Sequence, residues 1–354
     1  MKKTLAAVAV LGAFAGSALA ADVTLYGKVD LGARYTNVDN GTTEMDKFSL
    51  DSGLSSASRF GIKGSEQISE GLTVGFQLEQ GIDADTGAET EAGKAFRRES
   101  RLYVATDYGT LHMGRFGTLD SGTGSLDLVA GFTASGTGYG SYIGDQGEVF
   151  KTYGRLDNSI AYTSPEFAGM KVSAMASLGT GAANMETGVK GEGSSDVDRY
   201  YGLGVEGQWG ALGAGLVVSQ LDKGHKVAGD IDDVLNVTAG VNYDFGVAKT
   251  FLAANYYDDG EVDGTDKSGW GVSASVAAPV ASGTFEFAVA YGIETDDMAT
   301  TDDEYKKLNV GAFYKYPLSK RTYVYTGLGY DQKEEYAKDK VKTTEFISGI
   351  CHNF

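Results

Sequence analysis

The sequence predicts an all-β fold, a transmembrane antiparallel β-barrel of about sixteen strands with one long loop folded inward. Three observations predict it. Short segments that alternate apolar and polar residues recur from residue 23 to the last residue, and their connections alternate between short turns and long acidic loops. The Gly-rich stretch 116–154 has neither a helical nor a strand period. Loops of this length inside a compact domain are usually functional.

The first residues have the composition of a secretory signal. Lys2 and Lys3 precede a short apolar run that ends in the small-x-small sequence Ala18-Leu19-Ala20. The apolar run is too short to be a membrane-spanning helix. We therefore expect a signal peptide over residues 1–20 and one barrel domain over residues 21–354.

The charge balance excludes one class of partner. Removing Lys2 and Lys3 from the 30 basic residues leaves 28 against 48 acidic residues, a net charge of −20. Nucleic acid is bound through clustered Lys and Arg, so we expect no nucleic-acid partner. Cys351 is the single cysteine, which excludes an internal disulfide framework.

The alternating segments have the length that a tilted membrane strand requires, roughly 9–12 residues. In the second segment, Phe60 and Ile62 lie on one face while Arg59 and Lys63 lie on the other. The sixteen predicted strands are 23–35, 57–67, 71–82, 97–106, 110–116, 156–163, 170–178, 199–209, 212–220, 234–243, 247–257, 269–278, 284–292, 305–316, 322–330 and 344–354. Disorder is the competing interpretation of a Gly-rich chain, but 21 Tyr and 16 Phe argue against it.

The lengths of the connections distinguish a membrane barrel from a soluble sandwich. All three prolines, Pro165, Pro279 and Pro317, lie in short turns, where no hydrogen bond of the ladder is lost. Outer-membrane barrels combine short periplasmic turns with longer external loops. A soluble sandwich also alternates, but nothing in its fold sorts its loops by length in this way. A closed barrel is the β-structure that satisfies every backbone group in lipid.

Several runs of residues resemble a known family. They are Asp22–Gly27 (DVTLYG), Arg59–Gly64 (RFGIKG), Arg155–Gly169 (RLDNSIAYTSPEFAG), Tyr316–Thr322 (YPLSKRT) and Gly349–Phe354 (GICHNF). With the intervening chain, they resemble the trimeric sixteen-stranded porins of Gram-negative outer membranes, especially the neisserial and β-proteobacterial type. Cys351 departs from the resemblance, because the family usually has Arg there.

The resemblance implies a location, a function and partners. It implies export to the outer membrane and a water-filled channel for passive diffusion of small hydrophilic solutes and ions. It also implies a homotrimer in contact with outer-membrane lipids and lipopolysaccharide. Phe354 would be the C-terminal signal that the outer-membrane assembly machinery recognises.

The candidate site is a constriction of the channel by loop 116–154. We expect a basic wall of inward-facing residues, namely Arg59, Arg97, Arg101, Arg115 and Arg155, opposite the loop acids Asp120, Asp127, Asp145 and Glu148. Opposed charges across a narrow passage produce a strong field that orients polar solutes and water. The alternative is that the arginines pair with strand acids such as Glu79 and Glu99.

The position of Arg115 requires an irregularity in its strand. By alternation, Arg115 shares a face with Leu111 and Met113. A bulge or a strand end near Gly114 would be needed to turn its side chain inward. The sign of the charge selectivity stays open, because the local arginines and the acidic whole chain point in opposite directions.

The remaining candidate sites are weaker. Acidic runs such as 258–263 and 296–303 lack the spacing of a calcium loop, so we expect no dedicated metal site and no cofactor, although they could bind cations that bridge lipopolysaccharide phosphates. The three histidines, His112, His225 and His352, have no evident nucleophile nearby, so we expect no enzyme. A substrate-specific channel, or a surface adhesin or phage receptor acting through loops 180–197 and 294–303, stays an alternative.

Overall fold

The computed structural model describes residues 23–134, 149–179, 192, 197–224, 233–262, 265–296, 303–334 and 340–354. Within these ranges, no helix is long and apolar enough to cross a membrane. A short 3-10 helix covers Ala130–Phe132. The strands are β1 Thr24–Asp39, β2 Glu44–Ser52, β3 Arg59–Ser69, β4 Leu72–Asp83, β5 Ala88–Glu89, β6 Glu99–Thr106, β7 Gly109–Gly117, β8 Arg155–Thr163, β9 Met170–Ser177, β10 Arg199–Trp209, β11 Leu212–Asp222, β12 Val234–Asp244, β13 Lys249–Val262, β14 Thr265–Val280, β15 Gly283–Asp296, β16 Asp303–Pro317, β17 Thr322–Glu334 and β18 Val341–Asn353.

The described strands close into a barrel. Each main strand pairs antiparallel with the next, and β18 pairs with β1 from Lys28↔Asn353 to Asp39↔Lys342. Both β2 and β3 pair with β1, so together they occupy a single strand position of the barrel wall, with an interruption between them. We call each such strand position a stave. The short β5 pairs with the end of β4 in a small separate sheet. The wall therefore has sixteen staves, which confirms the predicted fold class and strand number.

The outer surface of the wall is apolar. Leu203, Leu252 and Leu328 are 59%, 56% and 56% exposed and stand at alternating positions of their strands. Their sequence neighbours on the other face, such as Ala253, are buried. An apolar surface that continues around a closed wall is suited to lipid rather than to water.

The strand β2 is absent from the sequence prediction. Phe48 and Leu50 alternate with Ser49 and Asp51, but Lys47 and Asp46 shorten the visible pattern. The pairing partners of β2 on β1 run from Leu31↔Ser52 to Asp39↔Glu44, so tertiary pairing extends the strand where the pattern is weak.

A register shift lies where the sequence requires an irregularity. The pairing of β7 with β8 shifts between Gly114 and Phe116. Gly114 pairs with Ser159 and Phe116 pairs with Leu156, so an advance of two residues along β7 matches an advance of three along β8. Within this part of β8, Asn158 has a positive φ of 52°. The extra residue therefore belongs to β8, whereas β7 itself keeps its alternation, with His112 and Phe116 both buried.

Candidate functional site

The described part of the long loop, residues 116–134 and 149–154, is fastened to inward-facing side chains of the wall. The Asp120 carboxylate is 1% exposed and accepts four hydrogen bonds. The donors are Thr118 Oγ1 at 2.8 Å, Tyr200 OH at 3.0 Å, Ser219 Oγ at 2.6 Å and Asn236 Nδ2 at 2.7 Å. A buried carboxylate requires this number of donors to offset its loss of water. Asp120 thus anchors the loop to β10, β11 and β12.

Apolar side chains of the loop fill the space that small wall residues leave. Phe132 lies over Gly240, where an added Cβ would come within 2.2 Å of the phenyl Cγ. Leu128 lies over Gly204 in the same manner. A larger residue at either position would occupy the volume that the loop uses. The glycines of β10 and β12 therefore make room for the loop.

Backbone hydrogen bonds attach the loop to the next two strands. Ala134 N donates to Ser275 Oγ at 3.0 Å, and Lys151 N donates to Asn255 Oδ1 at 3.0 Å. These bonds lie on either side of residues 135–148, which are outside the described residues. The predicted loop acids Asp145 and Glu148 belong to that stretch.

Asp127 stabilises the turn of the loop in which it lies. Its carboxylate accepts hydrogen bonds from the backbone N–H groups of Gly122 and Ala130, both at 2.8 Å. Removal of the carboxylate from water raises the pKa of Asp127 to about 7, although the N–H donors act in the opposite direction. Of the two described loop acids, Asp120 accepts hydrogen bonds from uncharged side chains of the wall. Asp127 accepts hydrogen bonds from backbone N–H groups of the loop itself. Neither has an arginine among its hydrogen-bond donors in the described residues.

The basic wall is built on β3, β4 and β6 and on the residues just before β6. Arg98 Nε donates to Glu79 Oε1 at 2.6 Å, and Arg59 Nε lies 3.6 Å from Glu79 Oε2. Arg101 Nε lies 3.6 Å from Glu99 Oε2, and its Nη2 donates to Gln77. The wall therefore brings together the predicted Arg59 and Arg101 around two carboxylates.

The basic wall meets the loop directly at one point. Ser125 N donates to Glu99 Oε1 at 3.1 Å, and Ser125 Oγ donates to Gln77 Oε1 at 3.3 Å. Arg155, at the loop's far end, interacts electrostatically with Glu99 and Arg98. Its Nε is buried without a hydrogen-bond partner among the described residues.

The predicted residues Arg97 and Arg115 lie in a different network. Arg115 Nη1 donates to Asp157 Oδ1 at 2.6 Å, and Lys94 Nζ donates to the other oxygen of that carboxylate at 2.9 Å. Arg97 Nη1 lies 3.6 Å from Glu91 and donates to the carbonyl of Thr90. Because Phe116 is buried inward, Arg115 belongs to the opposite face of β7. Arg115 and Lys94 thus connect segment 84–98 to the start of β8 through Asp157, and Arg115 Nε also donates to the carbonyl of Arg97.

Sequence reasoning missed Arg98. The prediction began the strand at residue 97, so alternation assigned Arg97 to the inner face. In the structure, Phe96 has a positive φ of 58° and β6 begins at Glu99. The rule of alternation does not apply before the strand, and Arg98 reaches Glu79 instead. Two adjacent arginines just before a strand were the available signal.

Comparisons with known proteins identify the family. Residues 6–336 match the family model described as Gram-negative porin. An outer membrane porin protein of Bordetella pertussis is 30% identical in an alignment of 397 residues, gaps included, that covers 100% of both chains. Outer membrane porin protein 32 of Delftia acidovorans is 31% identical over 336 residues, which cover 93% of this chain and 89% of that protein.

Solved structures share the fold at lower identity. The anion-selective porin from Comamonas acidovorans superimposes with a TM-score of 0.73 at 24% identity and covers 94% of this chain and 100% of its own. OmpT of Vibrio cholerae in its trimer form gives a TM-score of 0.65 at 18% identity, with 95% and 100% coverage. The chain belongs to the Gram-negative porin family and is a porin of the outer membrane.

Proposed function

We propose that the lumen of this porin is narrowed by loop 116–154 and favours small hydrophilic anions in passive diffusion. The observation that carries the proposal is the local charge balance of the lining. Arg59, Arg98 and Arg101 share two carboxylates, those of Glu79 and Glu99. Both described loop acids hydrogen-bond to uncharged groups and not to these arginines. The basic wall by itself thus carries an excess of positive charge, with three guanidinium groups against two carboxylates.

The local excess outweighs the acidity of the whole chain for an ion inside the lumen. The net charge of the full sequence is −18, and acidic runs such as 258–263 and 296–303 contribute to it. Charges in bulk electrolyte are screened over about 8 Å at physiological ionic strength. Charges that line a narrow passage with low-dielectric walls are screened far less. The nearby arginines therefore set the selectivity.

The proposal involves no covalent step and no cofactor. His112 illustrates why we propose a channel without enzymatic activity. Its Nδ1 lies 3.0 Å from Arg101 Nη1, and its ring contacts Tyr103 and Phe116. Among the described residues, no Ser, Thr or Cys side chain hydrogen-bonds to this ring, so it has no such nucleophile to activate.

Transport by purified protein in liposomes tests the proposal. We expect Arg59→Gln, Arg98→Gln and Arg101→Gln each to slow the entry of a small anion relative to a neutral solute of equal size. Lys342→Gln is the control, because Lys342 is half exposed and lies 3.7 Å from Asp39 at the external end of β1. Equal rates for the anion in all three variants and the wild type would place the filter elsewhere.

We also propose the processing and the partners that the family implies. Residues 1–20 would be removed on export, and the mature chain would form a homotrimer in contact with outer-membrane lipids and lipopolysaccharide. The trimer form of the Vibrio cholerae relative supports the oligomeric state. Current steps in groups of three on insertion into a planar bilayer are the expected result.

Phe354 has a place in the wall that is compatible with a signal for the assembly machinery. Its backbone N and O both bond Gly27, at 3.0 and 3.1 Å, and so extend the seam between β1 and β18. Its side chain is 45% exposed. We expect Phe354→Ala to lower the yield of folded protein in the outer membrane. Phe346→Ala, which removes a phenyl ring of similar exposure from β18, is the control.

A further inference from the structure

The second stave of the barrel contains an insertion. Lys28 of β1 pairs with Arg59, and Leu31 of β1 pairs with Ser52. Two residues of β1 therefore stand opposite the six residues 53–58, which we call the serine segment (Gly53-Leu-Ser-Ser-Ala-Ser58). Four residues more than a continuous strand requires must leave the plane of the sheet.

The serine segment leaves the sheet on the inner side. Leu54 is 2% exposed and packs in an apolar cluster with Phe313, Tyr325, Ile347 and Cys351. These four residues are the inward-facing, buried positions of β16, β17 and β18. The segment thus lies inside the barrel and extends past β1 to side chains of β18, β17 and β16.

A buried aspartate holds the segment in place. Asp30 is 0% exposed, and its Oδ2 accepts hydrogen bonds from the backbone N of Ser55 at 3.2 Å and of Ser56 at 2.8 Å. Ser58 Oγ bonds both the N and the O of Asp30, at 3.0 and 3.1 Å. Tyr325 OH donates to Asp30 Oδ1 from β17, two strands away from β1. A buried aspartate thus anchors the serine segment, as Asp120 anchors the long loop.

The segment also positions two cations. Lys28 Nζ donates to Ser56 Oγ at 2.9 Å, and Arg59 Nη1 donates to the carbonyl of Ala57 at 2.8 Å. The hydrogen bonds fix both side chains beside the segment. Arg59 is a member of the basic wall, so the segment positions a residue of the proposed filter.

The strand order places the two anchored elements on opposite sides of the lumen. In a barrel of sixteen staves, each strand faces the strand eight positions away. By the observed order, β1 faces β11, and β18 faces β10. Asp120 attaches the long loop to β10 and β11, while the serine segment lies over β1 and β18. The loop and the segment therefore project toward each other.

We infer that the serine segment is a second constricting element, which sets the pore width from the side opposite the long loop and positions Lys28 and Arg59 there. The inference rests on the proposed channel. It predicts that the narrowest cross-section depends on Asp30 and Leu54 as well as on the loop.

Cys351 provides a reporter within the native chain. It is the single cysteine of the sequence, and it is 0% exposed in the cluster around Leu54. In the wild type, a charged methanethiosulfonate reagent that enters the pore should leave Cys351 unmodified. Asp30→Asn and Leu54→Ala should make it reactive, measured by the mass shift of the intact protein. Asp120→Asn is the control, because it loosens the opposite element and should leave Cys351 protected.

Single-channel conductance and solute exclusion measure the width. Deletion of residues 54–57 leaves two residues opposite two of β1, so we expect a continuous strand, a higher conductance and entry of larger sugars into liposomes. Leu54→Ala should change both quantities in the same direction with less risk to folding. Phe48→Ala is the matched control, since Phe48 is 76% exposed in the adjoining β2. Retention of the folded form in unheated gels checks assembly of each variant.

The outcomes separate this inference from the proposed function. Wild-type protein that does not conduct would refute the channel itself. Wild-type protein that conducts, with folded variants that keep the wild-type conductance and a protected Cys351, would refute the role of the serine segment alone. Higher conductance together with a reactive Cys351 supports the segment as a constricting element.

Discussion

Asn236 Nδ2 donates a hydrogen bond to Asp120 Oδ2 at 2.7 Å, and this bond joins the long loop to β12. The same asparagine contacts Asn255 of the next strand, whose Nδ2 donates to Asn236 Oδ1 at 2.7 Å. The described part of the loop is thus bonded into a polar network of the wall, which favours a single position for it.

The first prediction concerns this anchor. Asp120→Ala removes the acceptor of the buried Tyr200 and Ser219 hydroxyls and leaves Asn236 Nδ2 with the Lys151 carbonyl alone. Each group left unsatisfied costs about 1–3 kcal/mol. We expect the loop to leave the wall intermittently, so that single-channel currents become noisy and the mean conductance rises. Glu70→Ala, at an exposed periplasmic turn, should change neither quantity. Quiet currents from the Asp120 variant would contradict the anchoring role.

The second prediction concerns the space beneath Phe132. Gly240→Ala places a methyl group within 2.2 Å of the Phe132 ring, and such overpacking typically costs about 1–3 kcal/mol. We expect the loop to be displaced, with noisier currents, while the barrel still assembles. Gly131→Ala is the matched control, because an added Cβ there meets no atom within 4 Å. The test compares current noise of the two variants under one voltage.

The third prediction concerns pH. The pKa of Asp127 is raised from 3.8 to about 7 in the docked loop. A group with a raised pKa contributes stability that is complete below its unfolded pKa and is lost as the pH rises through the folded value. Loop docking should therefore weaken as the pH rises from about 4 to about 7, seen as increasing current noise. Asp127→Asn cannot ionise, so its noise should be independent of pH over that range.

The fourth prediction compares two arginines. Arg115 pairs with Asp157 on the face of β7 opposite the buried Phe116, whereas Arg101 lies beside Glu99 and Gln77 in the basic wall. We expect Arg101→Gln to shift the reversal potential toward cation selectivity more than Arg115→Gln does, because the field of a charge falls with distance from the permeating ion. A larger shift for Arg115→Gln would place the filter at the external end of β7 and β8.

Alternation in the sequence is sufficient to predict the barrel but not the contacts inside it. The two faces of each strand are visible in pairs such as Leu252 and Ala253, because one face meets lipid. The partners of Asp120 are not visible, since Tyr200, Ser219 and Asn236 lie 80, 99 and 116 residues away along the chain.

The serine segment was invisible to sequence reasoning for a related reason. Residues 53–58 have the composition of an ordinary turn between strands. Only the pairing of both β2 and β3 with β1 reveals that they interrupt one stave. Asp30 likewise reads as an inward polar residue, and its role as an anchor depends on Tyr325, near the other end of the chain.

The reversal potential of the wild-type channel under a tenfold KCl gradient in a planar bilayer tests the central claim most directly. The account predicts a potential of the sign that chloride preference produces, because the cations of Arg59, Arg98 and Arg101 exceed the nearby carboxylates. A potential of the sign that potassium preference produces would show that the acidic loops control permeation, and it would contradict the basic wall as the filter.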